Sequence, residues 1–270
     1  MRGHEGEENM GTIGKALTLL DILSGMEKEC GLTEIALACG YDKATTRRFL
    51  VELEKQGFVE QTSESRKYRL GAALLRLARI REQRYPFLRT AMEFVRELAD
   101  LTGETVHLSE FSNGRLSNVH VEESTRAHRV FVRIGTILPF HATASGLAFL
   151  AASSSDVIEA ELAKPLQSFT DHTLTDADEV RRRIEETRAL GYSISRQGME
   201  AGVISVSAAI CPPGGRPVGS ITVAAPFVRT DDGRITEHGI AVSAAAQRIS
   251  DALFGADRQV RPMMQSRRTG

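Results

Sequence analysis

The chain has no tryptophan, only three cysteines, and 6% aromatic residues. Cys30, Cys39 and Cys211 are odd in number, widely spaced and without a CxxC pair, which argues against a disulfide framework or a thiolate metal site. They read as reduced thiols, with a redox switch as the alternative for the two near the N-terminus. Charge of neither sign dominates: 34 Lys and Arg face 35 Asp and Glu, for a net charge of -1. Any surface for a polyanion must therefore gather its positive charge locally. No run is long and apolar enough to span a bilayer, so no membrane partner is expected. HExxH, GxSxG, a Walker loop and a GxGxxG after a strand are all missing. The seven histidines lack ligand spacing. His107 and His120 can come close on paired strands, where a structural role is favoured over a metal site. His141 stands beside Thr143 and Ser145, but nothing supplies an acidic partner. No catalytic residue, metal ligand or cofactor is assigned, and the chain does not read as an enzyme.

What is present begins with length. A chain of 270 residues can hold two domains, each burying its own core. Residues 1–10 are polar and acidic, without the apolar core of a signal sequence. They read as a disordered start, and the protein is expected in the cytoplasm.

The most informative stretch runs from Gly31 to Glu60. A first helix is expected over Thr33 to Cys39, with Thr33 as N-cap and Glu34 in the first turn. Gly40 falls where a left-handed residue ends a helix. Asp42 then caps a second helix, Lys43 to Gln56, whose Thr46, Phe49, Leu50 and Leu53 form an inward stripe. Its outward face carries Lys43, Thr45, Arg47, Arg48 and Val51. Cations and hydroxyls on such a helix suit phosphate oxygens and purine edges in the major groove of double-stranded DNA. An amphipathic pair with a solvated basic face is the alternative. Phe58 to Gln61 and Lys67 to Leu70 read as strands around a polar loop, Thr62 to Arg66. That hairpin would be a wing, placing Arg66 and Lys67 beside the helix. Upstream, Thr12 to Met26 forms a covering helix. Positive charge gathers on the second helix and from Arg66 to Arg84.

These residues resemble the winged helix-turn-helix of IclR-family transcriptional regulators. The matching positions are Lys15-Ala16-Leu17 with Leu20 to Leu23, Glu34-Ile35-Ala36, Gly40, Thr45-Thr46, Arg48, Leu50, Leu53, Gly57-Phe58-Val59 and Tyr68 to Gly71. The resemblance continues downstream and covers nearly the whole chain.

Gly71 to Arg84 reads as a linker helix broken by Pro86. Leu74, Leu75, Leu77, Ala78 and Ile80 form its apolar stripe, suited either to a second subunit or to its own domain. Then follow a helix at Phe87 to Thr102, strands at Glu104 to Phe111, Arg115 to Glu122 and Arg129 to Ile134, and helices at Thr143 to Ala152, Asp156 to Leu162 and Asp176 to Leu190. Strands at Tyr192 to Ser195, Val203 to Cys211 and Val218 to Ala224, and a helix at Ile235 to Phe254, complete it. This order predicts an α+β domain with a mostly antiparallel sheet. The expected domains are 11–71 for the winged helix-turn-helix, 72–86 for the linker, 87–255 for the second domain and 256–270 for a flexible tail.

Gly135 to Leu150, Thr173-Leu174-Thr175, Gly191-Tyr192, Gly202-Val203 and Val223 to Pro226 resemble the effector domain of the same family. That resemblance implies a GAF-like ligand-sensing domain. It implies a small carboxylate held by the N–H groups of Ala144 and Ser145, with Ser195, Ser205, Thr222 and Ala224 as further pocket positions. A helix N-terminus is a natural anion site. The sequence departs from the family's pattern at Ser195, Gln197, Gly198, Ala224 and Leu147, where Asp, an acidic pair, a hydroxyl and Lys are common. A less acidic, more apolar pocket follows, suited to an organic acid with an apolar or aromatic body. Alternatively, Ser195, Ser205 and Thr222 only satisfy strand backbone.

The reading is a homodimeric or homotetrameric regulator of operator DNA, responsive to a small organic acid. A constitutive DNA-binding protein whose second domain only assembles subunits, and an enzyme fused to a DNA reader, stay open.

Overall fold

The computed structural model describes residues 11–26 and 28–255. The segments expected to be a disordered start (1–10) and a flexible tail (256–270) lie outside the described residues. The chain divides between Tyr85 and Pro86 into two compact units.

The first unit contains α1 (Thr12–Gly25), α2 (Leu32–Cys39), α3 (Lys43–Lys55), strands β1 (Val59–Gln61) and β2 (Tyr68–Leu70), and α4 (Ala73–Arg84). Helix α2 begins earlier than its Thr33 suggested. Gly31 is the N-cap, and its N–H donates to Glu34 Oε2 at 2.7 Å, so the carboxylate three residues on, not a hydroxyl, closes the first turn. Gly40 ends α2 in the left-handed region at φ 69°. Asp42 Oδ1 then accepts the Thr45 N–H at 2.8 Å and starts α3. Leu19, Leu23, Ile35, Cys39, Phe49, Leu50, Val59 and Tyr68 make one core. Gly71 is needed for a close approach, since a Cβ there would lie 2.2 Å from the Gly57 carbonyl oxygen. Helix α4 buries only Ala73, while Leu75, Leu77 and Ile80 are exposed. Its apolar stripe is thus not packed on its own unit.

The second unit contains α5 (Phe87–Thr102), β3 (Thr105–Ser112), β4 (Arg115–Glu122), α6 (Ala144–Ala151), α7 (Ser155–Leu162), α8 (Ala177–Leu190), β5 (Ser193–Arg196), β6 (Val203–Ile210), β7 (Gly219–Pro226) and α9 (Asp232–Phe254). The five strands lie in the order β4-β3-β7-β6-β5, antiparallel throughout. Alternation along each strand sends its residues to opposite faces. Val106, Leu108, Ile221, Val223, Ile204 and Val206 pack against α5 and α9. The other face, covered by α6, carries His107, Thr222, Ser207 and Ser193 in one cross-strand row and Thr105, Ala224, Ser205 and Ser195 in the next.

The strand expected at Arg129 to Ile134 does not form. The chain runs beside β4 only from Gly135 onward, through Gly135 N–H to Asn118 O at 2.7 Å, Asn118 N–H to Thr136 O at 3.0 Å and Leu138 N–H to Leu116 O at 2.8 Å. Residues 129–134 have apolar alternation without a neighbouring strand. They are anchored by Thr105 Oγ1, which donates to Val130 O at 2.8 Å. At the start of β3 the buried Glu104 carboxylate accepts from Arg126 at 2.6 Å and from Arg229 at 2.6 and 2.9 Å, which raises the Arg229 pKa.

Candidate DNA-reading face and ligand cavity

On α3 the side chains of Lys43, Arg47 and Arg48 are exposed and Thr45 is half-buried. None of these three cations has an acidic partner among the described residues. Arg48 lies over the Phe49 ring, 5.3 Å from its centroid. Thr46 is fully buried and its hydroxyl donates to Asp42 O at 2.9 Å, so it supports the turn from inside. In the wing, Arg66 and Lys67 are exposed at the end of the loop, with Arg66 left-handed at φ 54°. The neighbouring Arg69 differs: Glu60 Oε2 holds its Nε and Nη2 at 3.1 and 3.0 Å. Six side chains assigned from the sequence thus share one unit, five of them exposed. Burial, then the nearby Glu34, raises the Cys30 pKa, which keeps that sulfur a thiol.

The second unit holds a cavity of about 300 Å³ beneath the N-terminus of α6. All six sequence-assigned positions, Ala144, Ser145, Ser195, Ser205, Thr222 and Ala224, line it. Thr143 caps α6: its Oγ1 accepts the Gly146 N–H at 3.0 Å and donates to Pro139 O at 2.8 Å. The first two amides of α6, those of Ala144 and Ser145, take no acceptor among the described residues. Gly146 lets the helix press close, since a Cβ would lie 2.4 Å from Phe140 Cα.

The hydroxyls divide by role. Ser195 Oγ donates to Ala142 O at 2.9 Å, satisfying backbone. Thr222 Oγ1 donates to Ser207 Oγ at 2.7 Å, and Ser207 Oγ to Ile221 O at 3.1 Å. Ser205 Oγ makes no hydrogen bond among the described residues. Ala224 offers a methyl group. Leu147, expected to alter the cavity, instead packs with Leu150, Ile158, Val180 and Ile184 away from it. Gly198 does line the cavity, and a Cβ there would lie 2.5 Å from Ala142 O.

Sequence reasoning missed several lining residues: His107, Asn118, Val130, Phe131, Val132, Leu138 and Met199, with Arg133 and Glu200 exposed. The apolar alternation at 129–134 was visible but serves as cavity wall instead of strand. His107 and His120 do not meet. The register puts His107 opposite Val121 and His120 opposite Leu108, so the two rings leave opposite faces of the sheet. His120 Nε2 pairs with Glu122 at 3.0 Å, whereas His107 turns inward under α6, where Nε2 lies 3.3 Å from Ser145 Oγ. Burial pushes the His107 pKa down to about 4, so the ring is neutral. His141 Nε2 lies 2.9 Å from the Gln167 carbonyl, not from a carboxylate.

Comparison with known proteins agrees with both units. Residues 12–63 match the IclR helix-turn-helix domain, and residues 81–251 match the C-terminal domain of bacterial IclR transcriptional regulators. The glycerol operon regulatory protein of Streptomyces coelicolor is 31% identical over 218 residues, 80% of this chain and 84% of that protein. A solved candidate IclR regulator from Silicibacter sp. is 38% identical with a TM-score of 0.75, covering 90% of this chain and 96% of its own. A solved IclR homologue from Microbacterium hydrocarbonoxydans, complexed with 4-hydroxybenzoate, shares the fold at a TM-score of 0.77 and 20% identity, over 90% of this chain and 99% of that one. A winged helix-turn-helix reader and a ligand-cavity unit in one chain, each matched by its own family model, place this protein in the IclR family of transcriptional regulators.

Proposed function

We propose that this regulator reads operator DNA with Lys43, Thr45, Arg47 and Arg48 of α3, and with Arg66 and Lys67 of the wing. A small organic carboxylate bound in the α6 cavity tunes that affinity. Residues 11–71 form the reader, 72–86 the linker and 87–255 the effector domain. The assembly is a homodimer or homotetramer working in the cytoplasm, with recognition helices set about one DNA turn, or a multiple, apart. The observation that carries the effector reading is that Ala144 and Ser145, whose amides take no acceptor among the described residues, line a cavity that Val130, Phe131, Val132, Leu138 and Met199 also line. A helix N-terminus favours an anion there, and Val130, Phe131, Leu138 and Met199 suit an apolar or aromatic body. The 4-hydroxybenzoate held by the Microbacterium relative is an acid of that kind.

The linker is the natural carrier of coupling, typically about 1–3 kcal/mol between effector and DNA sites. The test is a DNA titration with and without aliphatic and aromatic carboxylates, 4-hydroxybenzoate included. Some acid is expected to raise the melting temperature and change operator affinity. An acid that binds without changing DNA affinity would sink the regulatory link. Arg47→Ala is expected to cost about 1–3 kcal/mol of operator affinity if Arg47 reads a base. If it touches a phosphate, the salt slope should fall by about one. Unchanged affinity and slope would remove Arg47 from the interface.

A further inference from the structure

Among the residues that line the α6 cavity, only Phe131, Arg133 and Glu200 are exposed. The cavity therefore opens to solvent between segment 129–134 and the turn 197–202, and these two walls are held very differently. The turn is fixed from several sides. Thr170 Oγ1 donates to Gln197 O at 2.7 Å and Thr173 Oγ1 to Gly198 O at 2.6 Å. The Gln197 N–H donates to Val203 O at 2.8 Å, and its side-chain Oε1 accepts the Gly202 N–H at 2.8 Å. The other wall is fixed only at its ends, by Thr105 Oγ1 on Val130 O at 2.8 Å and by the Gly135 N–H on Asn118 O at 2.7 Å. Between those anchors Phe131, Val132 and Ile134 make no hydrogen bond among the described residues. Arg133 O accepts two long ones, from Thr136 N and Asn118 Nδ2, both at 3.4 Å. Phe131 and Ile134 are 67% and 66% exposed. A segment with so few hydrogen bonds and buried contacts belongs to the part of a fold that opens and moves most easily.

Two further observations concern what that movement would do. The Phe131 ring is held outward by one exposed contact, the Arg129 guanidinium 4.6 Å from its centroid, and such contacts are weak. Arg133 and Glu200 carry opposite charges at the same mouth, and neither is in an ion pair among the described residues. We propose that segment 131–134 is a strap that closes over the bound acid, with Phe131 covering its apolar body and Arg133 pairing with Glu200 across the mouth. The proposal rests on the carboxylate reading above and deepens it. Over an empty cavity an inward Phe131 would meet a void and gain no contacts. Over an apolar body the ring leaves water and gains dispersion contacts, so the acid itself supplies the reason to close. The ion pair forms only after the acid has entered. It therefore slows release and leaves the rate of entry unchanged.

The test uses the full-length protein with benzoate, 4-hydroxybenzoate and hexanoate, and binding is read by calorimetry. The chain has no tryptophan, so Phe131→Trp places the sole indole on the strap. On binding, its emission is expected to move to shorter wavelength and its quenching by acrylamide to fall. Stopped-flow with that signal then gives the rates. Arg133→Glu and Glu200→Arg are each expected to speed dissociation by about fivefold, the upper worth of an exposed ion pair. The double variant, with the charges exchanged, should return to within about twofold of the parent. Should the indole itself hinder closure, hydrogen exchange on the wild-type protein reads the same motion: binding should slow exchange in 131–134 more than in 197–202. A double variant no better than the two singles combined overturns the proposal, as does an indole equally quenchable with and without bound acid. A charge effect confined to the association rate would be steering of an anion, and overturns it too. Each of these leaves the carboxylate site standing. No binding by any aliphatic or aromatic acid removes the carboxylate reading and this proposal with it.

Discussion

The two faces of the five-stranded sheet are built from the same strands and are both buried, yet only one is an ordinary core. Toward α5 and α9 the sheet shows Val106, Leu108, Ile204, Val206, Ile221 and Val223. Toward α6 it shows His107, Ser193, Ser207 and Thr222, all buried, with Ser195 and Ser205 partly exposed at the cavity. Burying hydroxyls is less favourable than burying methyls unless each finds a partner. Ser193, Ser195, Ser207 and Thr222 do find one, while Ser205 Oγ, Ser220 Oγ and His107 Nδ1 do not. Burial alone therefore does not mark the hydrophobic core. Among these strand residues the unfinished hydrogen bonds fall on the α6 face, where Ser205 and His107 line the cavity and Ser220 does not.

Substitutions should break or sharpen that contrast in a definite order. Leu108→Ala, on the apolar face and fully buried, is expected to cost about 2–5 kcal/mol in denaturant unfolding, with little change in which acid is preferred. A cost under 1 kcal/mol would mean that this face does not carry the stability. Acid should act through the polar face. The folded His107 pKa of about 4 lies below the ordinary value of 6.5, so between those limits the unfolded chain binds a proton that the folded one refuses. Stability is complete above about pH 6.5 and falls as pH drops toward about 4, by roughly 3 kcal/mol. His238, whose pKa burial also lowers, adds in the same direction. His107→Phe should flatten most of this slope in pH-dependent unfolding, and an unaltered slope would assign it elsewhere.

Thr143→Ala removes the α6 cap and should cost about 1 kcal/mol. The same variant should weaken carboxylate binding, because the helix N-terminus below it loses its fixed geometry. A stability loss with unchanged acid affinity would detach the cap from the site. Ser205→Ala is the smallest change. It should leave stability within about 0.5 kcal/mol while lowering acid affinity several-fold, because its hydroxyl serves no strand. A larger loss of stability would show that Ser205 belongs to the fold.

The first unit was legible almost residue by residue. Its signals are local: the Asp42 cap, the left-handed Gly40, and the stripe of Thr46, Phe49 and Leu50 lie within a few positions of what they organise. Only the cap of α2 moved, from Thr33 to Gly31, because a Glu34 carboxylate reached back to the backbone. In the second unit the resemblance pointed to six cavity positions that do converge, but the other walls were not readable. Alternating apolar residues at 129–134 satisfy a strand pattern equally well, and only the lack of a neighbouring strand turns them into a wall.

Sequence by itself determined the helix-turn-helix, the basic surface of α3, the antiparallel character of the sheet and the helix whose N-terminus faces the cavity. The first two follow from periodicity, capping and turn chemistry within a short stretch, the third from the order of elements along the chain, and the fourth was implied by the family resemblance. Tertiary structure alone decided the fate of His107. Its ring meets Ser145 across 38 positions of chain, and Ser145 meets Thr222 across 77. Which nitrogen carries the proton depends on a hydroxyl chain that exists only after three strands and a helix have come together, because a hydrogen bond is directional and its direction is set at the far end.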